Sequence, residues 1–175
     1  ILWTTMMRCT VSHFDDYFVQ KWIDPKELES KVAALKATGS TIVTLNGSFD
    51  LLHAGHLHMI HQASLQGDIL IVALNSDNSI QKYKSPKRPI IPLPYRLRMM
   101  AAVDFVDYVT SFEETDPRTL LQKIKPHVHV NGAEYGVNCI EAEVVKANGG
   151  RIHIVKLIPG LSTAKIIEKI KDSCD

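Results

Sequence analysis

A chain of 175 residues, 45% hydrophobic and 22% charged, has the make-up of an ordinary soluble domain with one core. A formal net charge of +1 gives no electrostatic case for nucleic acid or a membrane surface as partner. The longest apolar runs are too short to span a bilayer, and Cys9, Cys139 and Cys174 are odd in number and scattered, which argues against a disulfide framework and for a reducing cytoplasm.

In chain order, Ile1 to Thr5 is apolar but has neither a basic leader nor a cleavage pattern, so no signal peptide is expected. Residues 1–38 read as an N-terminal extension with one amphipathic helix, Pro25 to Ala37, packed on the domain formed by residues 39–175. Pro25 suits the first turn of that helix and Gly39 its end. Short strand-like runs then follow at Thr41–Leu45, Ile69–Leu74, Phe105–Thr110, His127–Val130 and Ile152–Val155. Helical patterns lie between them at Ala54–Gln66, Pro94–Val103, Pro117–Lys125 and Asn138–Ala147. A last helix, Ser162 to about Lys171, is expected to bury Ile166, Ile167 and Ile170 as a stripe. Strand–helix alternation at this spacing implies an α/β fold, a Rossmann-like doubly wound parallel sheet of about five strands with helices on both faces. Ligands of such sheets bind beyond the carboxyl ends of the strands.

One junction stands out. The string Asn46-Gly47-Ser48-Phe49-Asp50-Leu51-Leu52-His53-Ala54-Gly55-His56 follows the first sheet strand and opens a helix. Glycine turn, two histidines and the positive end of a helix meet there, which makes an anion site of backbone N–H groups, dipole and imidazoles. A half zinc site competes with this reading, but no cysteine pair or third ligand lies at a familiar spacing. Histidines that merely cap the turn are the other alternative. Two further segments are open to two readings each. Tyr83 to Pro94, with four prolines among Lys82, Lys84, Lys87 and Arg88, is either a solvated connection or a basic loop over phosphates. Gly160-Leu161-Ser162-Thr163-Ala164-Lys165 is either a simple N-cap or a second anion site. His127, His129 and His153 fall in strands and read as structural, while His58 and His61 lie beyond the turn.

The turn resembles the G-x-F-D-x-x-H-x-G-H signature of the nucleotidylyltransferase superfamily through Gly47, Phe49, Asp50, His53, Gly55 and His56. Gly160, Ser162 and Thr163 are similar to its G-x-S-T-T segment, with Ala164 in place of the second threonine. The resemblance implies transfer of a nucleoside monophosphate from a triphosphate to a phosphorylated acceptor, with Mg²⁺ carried on the triphosphate. Within the superfamily, Asn75-Ser76-Asp77, Lys84, Arg88-Pro89-Ile90, Arg96 and Val106-Asp107-Tyr108-Val109 resemble the heptose 1-phosphate adenylyltransferases. Asn131-Gly132-Ala133-Glu134-Tyr135 is similar to their K-G-G-D-Y segment, with Asn131 where that pattern has lysine.

The resemblance implies AMP transfer from ATP to a heptose 1-phosphate, giving ADP-heptose and pyrophosphate for lipopolysaccharide core synthesis. Alternatives are a cytidylyltransferase using CTP with glycerol 3-phosphate or phosphoethanolamine, and a nucleotide-binding protein without turnover. His53, His56 and Lys84 are the expected catalytic residues. Asn46, Gly47, Ser48, Phe49, Asp50, Gly55, Arg88, Gly160, Ser162 and Thr163 are expected at the nucleotide and its phosphates. Asn75, Asp77, Arg96, Asn131 and Glu134 are the candidates for the acceptor. No protein metal site is expected, the acceptor is a sugar or polyol phosphate, and the resemblance implies a homodimer.

Overall fold

The computed structural model describes residues 14–173. The apolar start of the chain, Cys9 and Cys174 lie outside the described residues. Two helices, α1 (Phe14–Lys21) and α2 (Leu28–Ala37), precede β1 (Ile42–Gly47) and α3 (Ala54–Ser64). There follow β2 (Ile69–Asn75), α4 (Asp77–Tyr83), α5 (Leu93–Ala101), β3 (Tyr108–Phe112) and α6 (Arg118–Ile124). The chain closes with β4 (Val128–Gly132), α7 (Ala142–Ala147), β5 (Arg151–Val155) and α8 (Thr163–Asp172).

The five strands are all parallel, in the order β3-β2-β1-β4-β5. The expected doubly wound α/β architecture is therefore the observed one. Alternation along each strand divides the core between the two faces of the sheet. Val43, Leu45, Val72 and Val130 pack with Ile60 and Ala63 of α3 and with Leu97 and Met100 of α5. Ile42, Ile71 and Ala73 point the other way, against Leu28 and Val32 of α2 and Leu120 and Ile124 of α6. The chain winds outward from β1 through β2 to β3, then returns to β4 on β1's other side. The switch in direction leaves a crevice at the carboxyl ends of β1 and β4.

Polar residues at those carboxyl ends follow the same alternation. Asn46, Asn75 and Asn131 close β1, β2 and β4 on the α2/α6 face. Deeper on that face, the fully buried His129 takes Thr44 Oγ1 as its Nδ1 partner at 2.8 Å. His127 Nδ1 accepts from the Ile42 N–H at 2.8 Å. His129 within β4 and His127 just before it thus each bond the scaffold.

Several elements differ from expectation. Pro25 lies in a turn, and α2 starts at Leu28. β3 starts at Tyr108, because Asp107 instead accepts the Leu70 N–H at 2.8 Å and leaves Phe105 44% exposed. Residues 138–141 form turns, so α7 begins only at Ala142. The helix α4 was not anticipated. It has seven residues and is fixed by its N-cap, Ser76, whose hydroxyl accepts the Ser79 N–H at 3.1 Å. Finally, α8 buries no residue: Ile166 and Ile167 are half-buried and Ile170 is 53% exposed. Its apolar stripe exists, but it is only partly covered. Among the described residues no helix is long and apolar enough to cross a membrane.

Candidate active site

The turn after β1 is built around an apolar anchor. Phe49 adopts φ 45°, a left-handed conformation that side chains rarely take, and its ring is 6% exposed among the residues under α3 and α5. Burial of that ring holds the chain in a conformation it would otherwise leave. His53 then caps α3 with its own side chain, Nδ1 accepting the Gly55 N–H at 3.1 Å. With Nδ1 an acceptor, the neutral ring carries its proton on Nε2. Glycine two residues on leaves room for that ring: a Cβ at position 55 would lie 3.0 Å from it and force it to shift.

The His56 ring stacks on that of His53, centroids 3.9 Å apart and planes at 22°. The Phe49 ring meets His56 edge-on at 5.4 Å. Burial, with added repulsion from His53 and Lys84, pushes His56 down to about 4, and burial lowers His53 as well. His56 Nδ1 is buried without a hydrogen-bond partner among the described residues. Two neutral imidazoles therefore sit at the positive end of an eleven-residue helix.

Asp50 organises the segment that faces them. Its carboxylate, 1% exposed, accepts the Ile90 and Ile91 N–H groups, each at 2.8 Å, and Arg88 Nε at 2.7 Å. Burial works against the ionised form, but these donors and the Arg88 charge outweigh it and hold the carboxyl below its ordinary value. The basic stretch is thereby folded back onto the turn. Lys84 Nζ donates to Ser48 Oγ at 2.6 Å, and Tyr83 shares that hydroxyl at 3.1 Å. Burial and the nearby Arg88 lower the Lys84 pKa.

Arg96 lies beneath this floor, 1% exposed. It donates to the carbonyls of Ser48, Asn75 and Ile91 at 2.6, 2.9 and 2.8 Å and to Asp77 at 2.7 Å. Asp77 in turn accepts the Leu93 N–H at 3.0 Å. One guanidinium thus ties the ends of β1 and β2 to the start of α5. Arg98, two residues on, faces outward to Asp15 at 3.1 Å.

These elements border a cleft of about 360 Å³ at the carboxyl edge of the sheet. Asn46, Gly47, Ser48, Phe49, Asp50 and His56 form the β1 side. Asn75 and Lys84 enter from β2 and α4, Thr163 from α8, and Asn131 and Glu134 from β4 and the loop after it. Eleven of the expected site residues meet there. The others are placed differently. His53 and Gly55 shape the helix start behind His56, and Arg88 is turned to Asp50. Asp77 and Arg96 are engaged with each other and with backbone, so Arg96 positions the walls and has no surface left for an acceptor. Ser162 is the N-cap of α8, accepting the Lys165 N–H at 3.2 Å, and Gly160 supplies the turn before it with φ 85°. Leu161 reaches within 3.4 Å of where a Cβ on Gly55 would sit, so the starts of α3 and α8 converge.

Sequence reasoning missed Tyr83, Thr115 and Glu141 on the cleft walls. Tyr83 ends the unanticipated α4, and nothing local marks Glu141. A second depression, about 210 Å³ between α2 and α6, shares no lining residue with the cleft. Among the described residues no group of three His, Cys, Asp or Glu side chains could hold a metal ion. Asp50, the carboxylate of the turn, is already saturated by its three donors. Asp50 therefore has no free oxygen with which to hold a Mg²⁺ ion.

Comparison with known proteins agrees with this arrangement. Residues 44–171 match the family model described as cytidylyltransferase-like. The bifunctional protein HldE of Pseudomonas fluorescens is 43% identical over 149 residues, 85% of this chain and 31% of that protein. HldE of Geobacter sulfurreducens is 44% identical over 140 residues, 79% of this chain and 29% of that one. The chain thus spans about three tenths of the length of these curated relatives. Among solved structures, the lipopolysaccharide core biosynthesis protein from Thermoplasma volcanium superposes with a TM-score of 0.56 at 28% identity, over 69% of this chain and 98% of that one. Pantoate-beta-alanine ligase from Francisella tularensis shares the fold, with a TM-score of 0.56 at 17% identity over 86% of this chain and 77% of that one. The chain belongs to the cytidylyltransferase-like family of nucleotidylyltransferases.

Proposed function

We propose that this chain transfers AMP from ATP to a heptose 1-phosphate, releasing pyrophosphate and forming an ADP-sugar for the lipopolysaccharide core. The observation that carries the reading is the stacked His53/His56 pair at the start of α3, which sets His56 into the cleft that Lys84 also lines. Likeness to HldE proteins and to a lipopolysaccharide core biosynthesis protein supports the choice of acceptor.

The acceptor phosphate oxygen is already a nucleophile and pyrophosphate a leaving group, so no covalent enzyme intermediate is needed. The protein has to hold the two in line and neutralise charge spreading over the transferred phosphoryl group. Backbone N–H groups at the start of α3 and the Nε2–H of His53 donate to phosphate oxygens. His56, neutral in the free protein, takes a proton as the anion arrives. Lys84 exchanges its bond to Ser48 for a phosphate oxygen, and Thr163 adds a hydroxyl from α8. Mg²⁺ on the triphosphate supplies further charge neutralisation. A homodimer belongs to the same reading, and light scattering at assay concentration tests it.

The test of the reaction is pyrophosphate release with Mg²⁺, crossing ATP and CTP against heptose 1-phosphate, glycerol 3-phosphate and phosphoethanolamine. Signal with ATP and heptose 1-phosphate alone is the expected result. Signal with another pair would correct the substrates and keep the chemistry. Silence in every combination, with nucleotide bound, would favour a binding protein without turnover.

A further inference from the structure

Glu141 occupies an unusual place for a carboxylate. It is 6% exposed and immediately precedes α7, yet its side chain makes no capping bond to that helix. It turns instead to the cleft, where Asn131 Nδ2 donates to it at 3.3 Å and the Cys139 thiol lies beside it. No lysine, arginine or histidine forms a salt bridge with it among the described residues. Asn131, at the end of β4, is itself 6% exposed and lines the same wall. Glu134 and Tyr135 complete that wall, while the Lys84 ammonium and the neutral His56 belong to the α4 and β1 side.

An ionised carboxylate offers about four acceptor sites. The Asn131 amide and the Cys139 thiol occupy part of that capacity and leave acceptor sites open toward the cleft, where donors of a ligand can reach them. Hydroxyl groups are the donors that fit, because each donates a hydrogen bond to the carboxylate without bringing charge into the cleft. Asn131 has an amide that holds the carboxylate at the wall. A site built this way discriminates strongly, since a ligand lacking the hydroxyl leaves the carboxylate unpaired.

We infer that Glu141, held by Asn131, reads the hydroxyl groups of the acceptor and so selects a polyhydroxylated phosphate. The inference rests on the transferase reading of the cleft and names the residue that decides its acceptor. Its test is direct binding, which does not depend on turnover. Heptose 1-phosphate and ethyl phosphate, which has no hydroxyl, are titrated separately into protein saturated with a non-hydrolysable ATP analogue. Wild type, Glu141→Gln and Glu141→Ala are compared.

Both substitutions are expected to weaken heptose 1-phosphate by roughly tenfold or more, leaving ethyl phosphate and the nucleotide analogue within about twofold. Equal weakening of both phosphates would overturn the inference, as would unchanged affinity for heptose 1-phosphate. If Glu141→Ala fails to fold, the isosteric Glu141→Gln, which keeps a partner for Asn131, decides the matter. Failure of the wild type to release pyrophosphate with any acceptor would sink the transferase reading alone. Selective loss of heptose 1-phosphate binding in the variants would still uphold the role of Glu141.

Discussion

His53 and His56 lie ring on ring at the mouth of α3, centroids 3.9 Å apart. Burial disfavours the charged form of both rings, and at His56 repulsion from His53 and Lys84 adds to the penalty. The pair is therefore neutral while the cleft holds no anion. A bound triphosphate would reverse the balance, because its charge favours protonation of the same rings.

That reversal can be read by NMR titration. In the free protein His56 should titrate near 4, against an ordinary value of 6.5. With a nucleotide triphosphate analogue bound, the midpoint should move upward. The sign for stability follows from proton uptake: between 6.5 and about 4 the unfolded chain protonates this histidine and the folded chain does not. The contribution of His56 to stability is thus complete above 6.5 and declines as pH falls towards 4. A midpoint near 6.5 in the free protein would contradict the account.

His56→Ala should lower turnover by about a hundredfold or more, the usual cost of removing a donor aimed at developing charge. The fold should survive, since His56 is only half-buried. Circular dichroism and steady-state rates check the two halves. A rate near wild type would remove this histidine from the mechanism.

Lys84→Ala should raise the KM for the triphosphate or slow transfer, with the acceptor KM little changed. The lysine already reaches the turn through Ser48, at 2.6 Å, so its ammonium sits where a phosphate would compete for it. If both kinetic constants for the nucleotide stay put, the loop after α4 is a passive connector.

Asp50→Asn keeps the shape of the side chain but loses its charge and one of its acceptor oxygens. The Ile90 and Ile91 N–H groups and Arg88 would then compete for what remains. A loss of about 2–4 kcal/mol is expected, measured by urea unfolding, with faster tryptic cleavage after Lys84. Because the folded carboxyl is held below 3.8, this stability is full above that pH and is lost only as pH falls through the folded value. Wild type and variant should therefore differ at neutral pH and converge in strong acid. Equal tryptic cleavage of the two proteins would mean that Asp50 does not order the loop.

The parts of the site legible in the sequence are those whose residues are contiguous. The strand, glycine turn, His53 and His56 lie within one short stretch, so local pattern alone brings them together. Charge is visible in a sequence, but its direction is not. Arg88, Asp77 and Arg96 match a motif, and yet they bind the scaffold: Arg96 holds three carbonyls under the floor, and Arg88 is clasped by Asp50. Glu141 carried no local signal at all, because only the return of β4 beside β1 brings it and Asn131 to the cleft. The same limit applies to α8. The spacing of Ile166, Ile167 and Ile170 sets a common face but says nothing about what covers it, and among the described residues that face is only half-covered.

The central claim is attack at the α-phosphate, and the most direct measurement follows that atom. ATP labelled at the α-phosphate is incubated with protein, Mg²⁺ and heptose 1-phosphate, and products are separated by mass. The account predicts label in an ADP-sugar, with one pyrophosphate released for each molecule formed. Label retained in ADP with release of orthophosphate, or no product while nucleotide is bound, would contradict it.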